Sequence, residues 1–328
     1  MKRMINMTNS PDDLSRFQDQ QDLKNFCRKF GCDGLEYLRL QETENHLISQ
    51  DMICGIHMRS FNSWVDLWKG NEEALRKEYG NIRQIDQIFG GHTRDALIAA
   101  FRQDLEYAKA VGAEYVVFHV SEVKIEESFR YQFACTDEEV IAAAAELINE
   151  LLDGQGYSFY FLMENLWWPG LRFTRPEVTE KLIEAVHYEK KGFMLDTGHL
   201  LHTNLDLRTQ EEGLDYIHQM LDQHGSMCRW IKGIHLNQSL TGAAVKEMKK
   251  QKLTLAQDYY ERWCQVFAYL FQIDLHQPFT AEGISGLIER VSPEFLTFEL
   301  ISRNRREHEA MLEKQMKALT CMDTNVRM

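Results

Sequence analysis

The segment Gly192-Phe193-Met194-Leu195-Asp196-Thr197-Gly198-His199 opens as an apolar run, ends that run on a carboxylate, and passes through a glycine to an imidazole. A short apolar run closed by polar residues and followed by a helical period reads as a buried strand feeding a helix. Working outward, the same switch predicts strands over Met4–Met7, Gly34–Leu40, Met52–Ser60, Glu114–Ser121, Ser158–Glu164, Gly192–Asp196, Ile231–Leu236 and Leu296–Leu300. Amphipathic helices are predicted over Asp12–Phe30, Thr93–Val111, Asp137–Leu152, Pro176–Glu189, Glu211–His224, Ala281–Arg290 and Arg303–Leu319. Thr136 with Glu139 forms a capping-box start, and Pro176 sits where a first-turn proline belongs. Eight strands alternating with helices predict an α/β fold, a single (β/α)8 TIM barrel over residues 1–320. A doubly wound sheet would need a glycine-rich phosphate loop after an early strand, and neither GxGxxG nor GxxxxGK[ST] occurs. Two connections are long, 61–92 and 237–273, and read as top-face loops walling a site. The last eight residues, 321–328, read as a frayed tail.

The 328 residues carry 37 basic and 50 acidic side chains, a net charge of −13, with 44% hydrophobic and 27% charged residues. That mixture excludes disordered and collagen-like classes. The acidic excess works against broad phosphate binding, which needs clustered Lys and Arg, so nucleic acid is a disfavoured partner. Seven cysteines occur without a CxxC pair, which reads as reduced thiols and a cytoplasmic location. No signal-peptide pattern follows Lys2-Arg3 and no run approaches 18 apolar residues, so no membrane association is expected. Oligomeric state has no warrant in the sequence.

Six of the eight predicted strands end on an ionisable residue: His57, His119, Glu164, Asp196, His235 and Glu299. All strands of a barrel end on one face, so these groups converge near its axis. Three carboxylates meeting without a cation would repel one another, so Glu164, Asp196, His235 and Glu299 are expected to hold a divalent metal. A donor set without thiolate suits Mn²⁺, Zn²⁺, Co²⁺ or Mg²⁺. His57 and His119 read either as further ligands or as pocket-lining polar groups. His199, three residues past Asp196, reads as a cap or a substrate hydrogen-bond donor, and Asp274 with His276 share one side of an extended segment that could hold a further ion. Trp64, Trp68, Trp167, Trp168, Asn165 and Asn237 are candidate pocket residues. His46, His92, His187, His202, His218, His224 and His308 read as surface groups or, at most, as supports of the ligands, and the Lys246–Lys252 run reads as a solvated helix face.

At these residues the chain resembles the xylose isomerase-like TIM barrels, which include sugar phosphate isomerases and epimerases and the endonuclease IV type of AP endonuclease. The resemblance runs from Gly34-Leu35-Glu36 through Gly112-Ala113-Glu114-Tyr115-Val116-Val117-Phe118-His119, Glu164-Asn165, Leu195-Asp196-Thr197-Gly198-His199, His235-Leu236-Asn237, Asp274-Leu275-His276 and Glu282-Gly283 to Phe298-Glu299-Leu300. In ketose 3-epimerases one ion is held by residues matching Glu164, Asp196, His235 and Glu299. The resemblance then implies that the two glutamates exchange a carbon-bound proton through an enediolate while His199 binds a substrate oxygen. The arginine usual after the matching histidine is replaced by Leu236-Asn237-Gln238-Ser239. Endonuclease IV-type enzymes hold three zinc ions with nine ligands, matched here by His57, His119, Glu164, Asp196, His199, His235, Asp274, His276 and Glu299. Against that pattern, Val120-Ser121 follows His119 where the nucleases have Pro-Gly, and about 38 residues separate His235 from Asp274.

Charge separates the two activities. One ion with three carboxylates leaves about −1, which tolerates a neutral polyol, whereas three ions with four carboxylates give about +2, which suits a phosphodiester. The acidic chain ranks a one-metal isomerase or epimerase of a sugar or polyol first, with up to three ions and phosphodiester hydrolysis as the alternative. A non-catalytic metal-binding barrel is a third reading, which the paired glutamates disfavour.

Overall fold

The computed structural model describes residues 1–42 and 46–320; the tail expected at 321–328, with Cys321, lies outside the described residues. Eight parallel strands close into one barrel in sequence order: β1 (Lys2–Thr8), β2 (Gly34–Leu38), β3 (Ile53–His57), β4 (Tyr115–His119), β5 (Tyr160–Glu164), β6 (Lys191–Asp196), β7 (Ile231–His235) and β8 (Phe295–Phe298). Most of these strands are buried along nearly their whole length, as parallel strands must be when helices cover one face and barrel contents the other. All eight predicted strands are present, with β1 and β6 longer than expected and the others shifted or trimmed at their ends, and Glu299 falls one residue past β8.

The helices are α1 (Pro11–Leu14), α2 (Gln20–Lys29), α3 (Val65–Lys69), α4 (Glu72–Tyr79), α5 (Ile82–Phe89), α6 (Arg94–Val111), α7 (Ile125–Arg130), α8 (Asp137–Leu152), α9 (Pro176–Ala185), α10 (Thr197–His202), α11 (Gln210–His224), α12 (Gly242–Lys250), α13 (Tyr259–Ile273), α14 (Ile284–Val291) and α15 (Arg305–Thr320). Thr136 and Glu139 make the expected reciprocal cap of α8, and Pro176 occupies the first turn of α9. Two expectations change. The single helix predicted over 12–30 breaks into α1 and α2, because the Asp19 side chain accepts the Asp22 N–H and restarts the chain as an N-cap. The two long connections are helical, with α3, α4 and α5 in the first and α12 and α13 in the second.

Two apolar layers hold the barrel. The larger lies between sheet and helices; the smaller fills the barrel's lower interior with Met4, Cys54, Tyr115, Val117, Leu162, Met194 and Phe295. Gly55 makes that filling fit, since a Cβ there would lie 2.1 Å from the Tyr115 ring. Among the described residues no helix is long and apolar enough to cross a membrane, and Cys27, Cys32, Cys54, Cys135, Cys228 and Cys264 are all free thiols.

Candidate metal centre

The strand register brings the ionisable ends together: His119 lies beside Glu164 across β4 and β5, and Asp196 beside His235 across β6 and β7. Three donor sets result, each with ligand atoms within 4.8 Å of one another: His57, His119 and Glu164; Glu164, Asp196, His235 and Glu299; and His199, Asp274 and His276. Glu164 belongs to two of them. Its Oε2 lies 3.3 Å from His57 Nε2 and 3.2 Å from His119 Nε2, while its Oε1 lies 3.2 Å from His235 Nδ1 and 3.2 Å from His199 Nδ1. Glu299 Oε2 stands 3.1 Å from His235 Nδ1, and Asp274 Oδ2 stands 3.0 Å from His276 Nε2 and 3.5 Å from His199 Nε2.

The imidazoles are oriented from behind. His57 Nδ1 faces the Met58 carbonyl at 2.9 Å, His199 Nδ1 the Asn165 carbonyl at 3.0 Å, and His276 Nδ1 the Glu299 carbonyl at 3.1 Å. A carbonyl only accepts, so each Nδ1 carries the proton and each Nε2 presents a lone pair to its donor set. His235 is held the other way round: its Nε2 donates to Glu36, 2.9 Å from Oε1 and 3.0 Å from Oε2, and its Nδ1 faces the quartet. A ligand histidine backed by a carbonyl or carboxylate is the arrangement that fixes tautomer and ring angle at metal sites.

Asp196 is the N-cap of α10; its Oδ1 accepts the His199 N–H at 2.6 Å and its Oδ2 accepts from Asn237 Nδ2 at 2.8 Å. Gly198 is required beside it, because a Cβ there would fall 1.9 Å from Asn237 Oδ1. The turn carrying Asp274 and His276 is tied by Ser239, whose hydroxyl donates to Asp274 Oδ1 at 3.2 Å and accepts the backbone N–H groups of Leu275 and His276.

The residues fit a set of cations. His57 Nε2 and His119 Nε2 approach each other to 3.1 Å beside a carboxylate, and the buried Glu164 Oε2 and Glu299 Oε2 have no hydrogen-bond partner. Without metal, protons take the cation's place. Burial opposes ionisation of Glu164, yet the facing His235 and His119 rings hold its carboxyl well below the carboxylate range. Burial, with Glu299 and Glu164 nearby, pushes Asp196 up to about 7 against the pull of His199 and His276. His57 rises to about 9, where burial is outweighed by Glu164, and His276 rises to about 9, where burial is outweighed by Asp274.

Several candidates turn out to have other places. Asn165 is fully buried and bridges β5 to β6, donating to the Asp196 carbonyl at 3.0 Å and accepting its N–H at 2.9 Å. Asn165 and Asn237 therefore position Asp196, and Asn237 Oδ1 is left without a hydrogen-bond partner. Trp68 is a correction: its indole donates to Glu146 of α8 at 2.9 Å beneath the Arg94 guanidinium, on the helical exterior. Trp64 is buried with its indole on the Ser121 carbonyl, anchoring the first insertion to the barrel wall. Trp167 does reach the centre, 5.2 Å from the His199 ring and 4.6 Å from His202, with Trp168 packed behind it at 4.4 Å. His202, expected at most as a supporting group, is buried with Nε2 3.8 Å from Asp274. His224 and His308 are likewise buried, where the sequence suggests surface positions.

Glu36 is the functional candidate that sequence reasoning misses as a site residue. It is 2% exposed in the middle of β2 and is held by Tyr115 Oη at 2.7 Å and Thr297 Oγ1 at 2.8 Å. The available signal is a lone acid inside an apolar strand, easily passed over because it does not end that strand.

Barrel and donor sets together define a (β/α)8 protein with a candidate polynuclear metal centre at the C-terminal ends of its strands. The chain belongs to the xylose isomerase-like TIM barrel family, whose profile matches residues 89–313. Among solved structures it is similar to endonuclease IV from Thermus thermophilus, at 15% identity and TM-score 0.54, covering 97% of this chain and 99% of that one. It is also similar to a putative xylose isomerase from Rhodospirillum rubrum, at 12% identity and TM-score 0.55, covering 98% and 99%. A D-tagatose 3-epimerase-like protein follows at 12% identity and TM-score 0.53, covering 97% of each chain. These likenesses carry the fold. No curated protein matches the sequence significantly.

Proposed function

We propose that this chain is a hydrolase of small phosphate esters with a three-metal centre, for which zinc is the fitting ion. The observation that carries the reading is the triple donor set with Glu164 shared between two of its members. His57 and His119 would hold one ion with Glu164; Asp196, His235 and Glu299 a second with the same glutamate; His199, Asp274 and His276 a third. An imidazole-rich set with no thiolate and four carboxylates suits Zn²⁺. When bound, such ions lower the pKa of water and offset phosphoryl charge. The chain's part is orientation: three backbone carbonyls and Glu36 hold four imidazoles facing inward, and the buried quartet keeps bulk water from screening the charge. Three ions against Glu164, Asp196, Asp274 and Glu299 leave about +2, or about +1 counting Glu36, which attracts a phosphoryl group. The chain's −13 charge opposes an extended polyanion, so a small ester fits better than duplex DNA. The endonuclease IV likeness is consistent with this chemistry.

The isomerase reading that the sequence ranks first keeps one specific support: Glu164, Asp196, His235 and Glu299 form a complete one-metal set by themselves. Metal count separates the two. Elemental analysis of protein purified without chelator should give about three zinc per chain, with turnover of bis(4-nitrophenyl) phosphate and little cleavage of abasic duplex DNA. One ion per chain, with turnover of a ketose, would overturn the proposal in favour of the isomerase.

A further inference from the structure

Outside the metal centre, a cavity of about 310 Å³ lies between the two insertions. That is the lower end of the range for small-molecule sites. Its walls are rings: Phe61 and Tyr79 from the first insertion face Tyr259, Trp263 and Phe267 of α13. Tyr79 and Tyr259 meet with centroids 5.0 Å apart, and Trp263 packs on Phe267 at 3.9 Å. Trp263 is 41% exposed, so the cavity is open to solvent at a tryptophan edge.

Of the sixteen lining residues one is charged, Glu78; the others are aromatic, aliphatic or neutral polar. One Glu78 oxygen accepts the Ile125 N–H at 2.9 Å, which leaves the other for a ligand. Of the nearby cations, Lys124 pairs with Asp66 at 2.7 Å, while Arg262 donates from Nη2 to the Glu78 backbone carbonyl and lies 5.8 Å from the Tyr259 ring, leaving the Trp263 face without a cation among the described residues. Burial raises the Glu78 carboxyl despite Arg262 and Lys124, so the site gains from an added positive charge. A carboxylate at the wall of an aromatic cavity repels anions, leaves a neutral ligand no ionic partner, and adds Coulomb attraction to the cation–π attraction of Trp and Tyr faces.

We propose that this cavity binds a small organic cation, an aryl- or alkylammonium, with its ammonium at Glu78 and its apolar body between Tyr259, Trp263 and Phe267. The site is independent of the metal centre's chemistry.

The test is isothermal titration of the full-length, metal-loaded protein with phenethylammonium, 2-phenylethanol and phenylacetate at pH 7. Phenethylammonium should saturate one site and bind at least about tenfold tighter than the other two. Glu78→Gln, which keeps an acceptor for Ile125, should weaken phenethylammonium about tenfold and leave 2-phenylethanol unchanged. Trp263→Ala, at an exposed position that does not threaten folding, should weaken both. Equal binding of alcohol and ammonium, an unaltered ammonium affinity in Glu78→Gln, or saturation by none of the three probes would each overturn the proposal.

Discussion

The lower and upper halves of the barrel interior are built from the same eight strands and treat buried polar atoms in opposite ways. Below, Met4, Val117, Leu162, Met194 and Phe295 pack around Tyr115, whose hydroxyl is satisfied by Glu36 at 2.7 Å. Above, Glu164 Oε2 and Glu299 Oε2 are buried without hydrogen-bond partners, 3.2 Å from His119 Nε2 and 3.1 Å from His235 Nδ1. A satisfied polar group stabilises one packing, whereas an orphaned one stores a cost that only a ligand removes. The contrast assigns stability to the lower half and chemistry to the upper, and it can be broken from either side.

The largest effect should come from Glu164→Ala. It removes a ligand from two donor sets, so bound metal should fall by about two equivalents and turnover by at least about 10³-fold. Added zinc should raise the melting temperature of the parent protein by more than that of the variant; an equal rise in both would mean that Glu164 holds no metal. In the lower half, Gly55→Ala drives a methyl into the Tyr115 ring and should cost about 3 kcal/mol in urea unfolding, with metal stoichiometry of the folded protein unchanged.

A third kind of buried polar group sharpens the comparison. His308 sits 5.2 Å from the Phe26 ring at the outer helices, and burial, aided by the Arg16 charge, lowers it to about 4. Between its ordinary value of about 6.5 and the folded value of about 4, the unfolded chain takes up a proton that the folded chain refuses. Stability present above about pH 6.5 is therefore lost as pH falls toward 4, by up to about 3 kcal/mol. His308→Leu should reduce that acid loss in a pH series of melting curves, whether or not metal is bound; an unchanged series would mean the ring is solvated. The smallest effect is expected at the boundary between the halves. Glu36→Gln leaves packing intact but weakens the grip on His235, and metal affinity measured by chelator competition should drop about 10- to 100-fold.

Much of this architecture is legible because six of the eight strands end at or beside an acidic residue or a histidine. The switch from apolar run to ionisable residue locates β3 to β8 and with them most of the metal donors. Helices inside the first insertion escape a reading by period, because α3, α4 and α5 are five to eight residues long, too short for a helical period to show. Punctuation is present instead: Gly70, Gly80 and Gly90 stop these helices with positive φ, and Asn71 and Asn81 start the next ones as N-caps. The partners of Asn165, Asn237 and Trp68 escape the sequence for another reason. Sequence places a side chain near a strand end or on a helix, but its direction depends on partners such as the Asp196 backbone or Glu146, which only the folded chain supplies.

The excursion between β7 and β8 is pinched at its base by Gln238 and Gln277, which exchange two backbone hydrogen bonds of 2.8 and 2.9 Å. Entry and exit are thereby held one strand spacing apart whatever lies between. Replacement of the stretch carrying α12 and α13 leaves the barrel seated where it keeps the buried Val245, Val266 and Tyr269 in the core and returns Asp274 and His276 to Ser239. The pinch makes this segment an exchangeable cassette, through which a lineage can acquire new ligand preferences while its inherited chemistry stays in place.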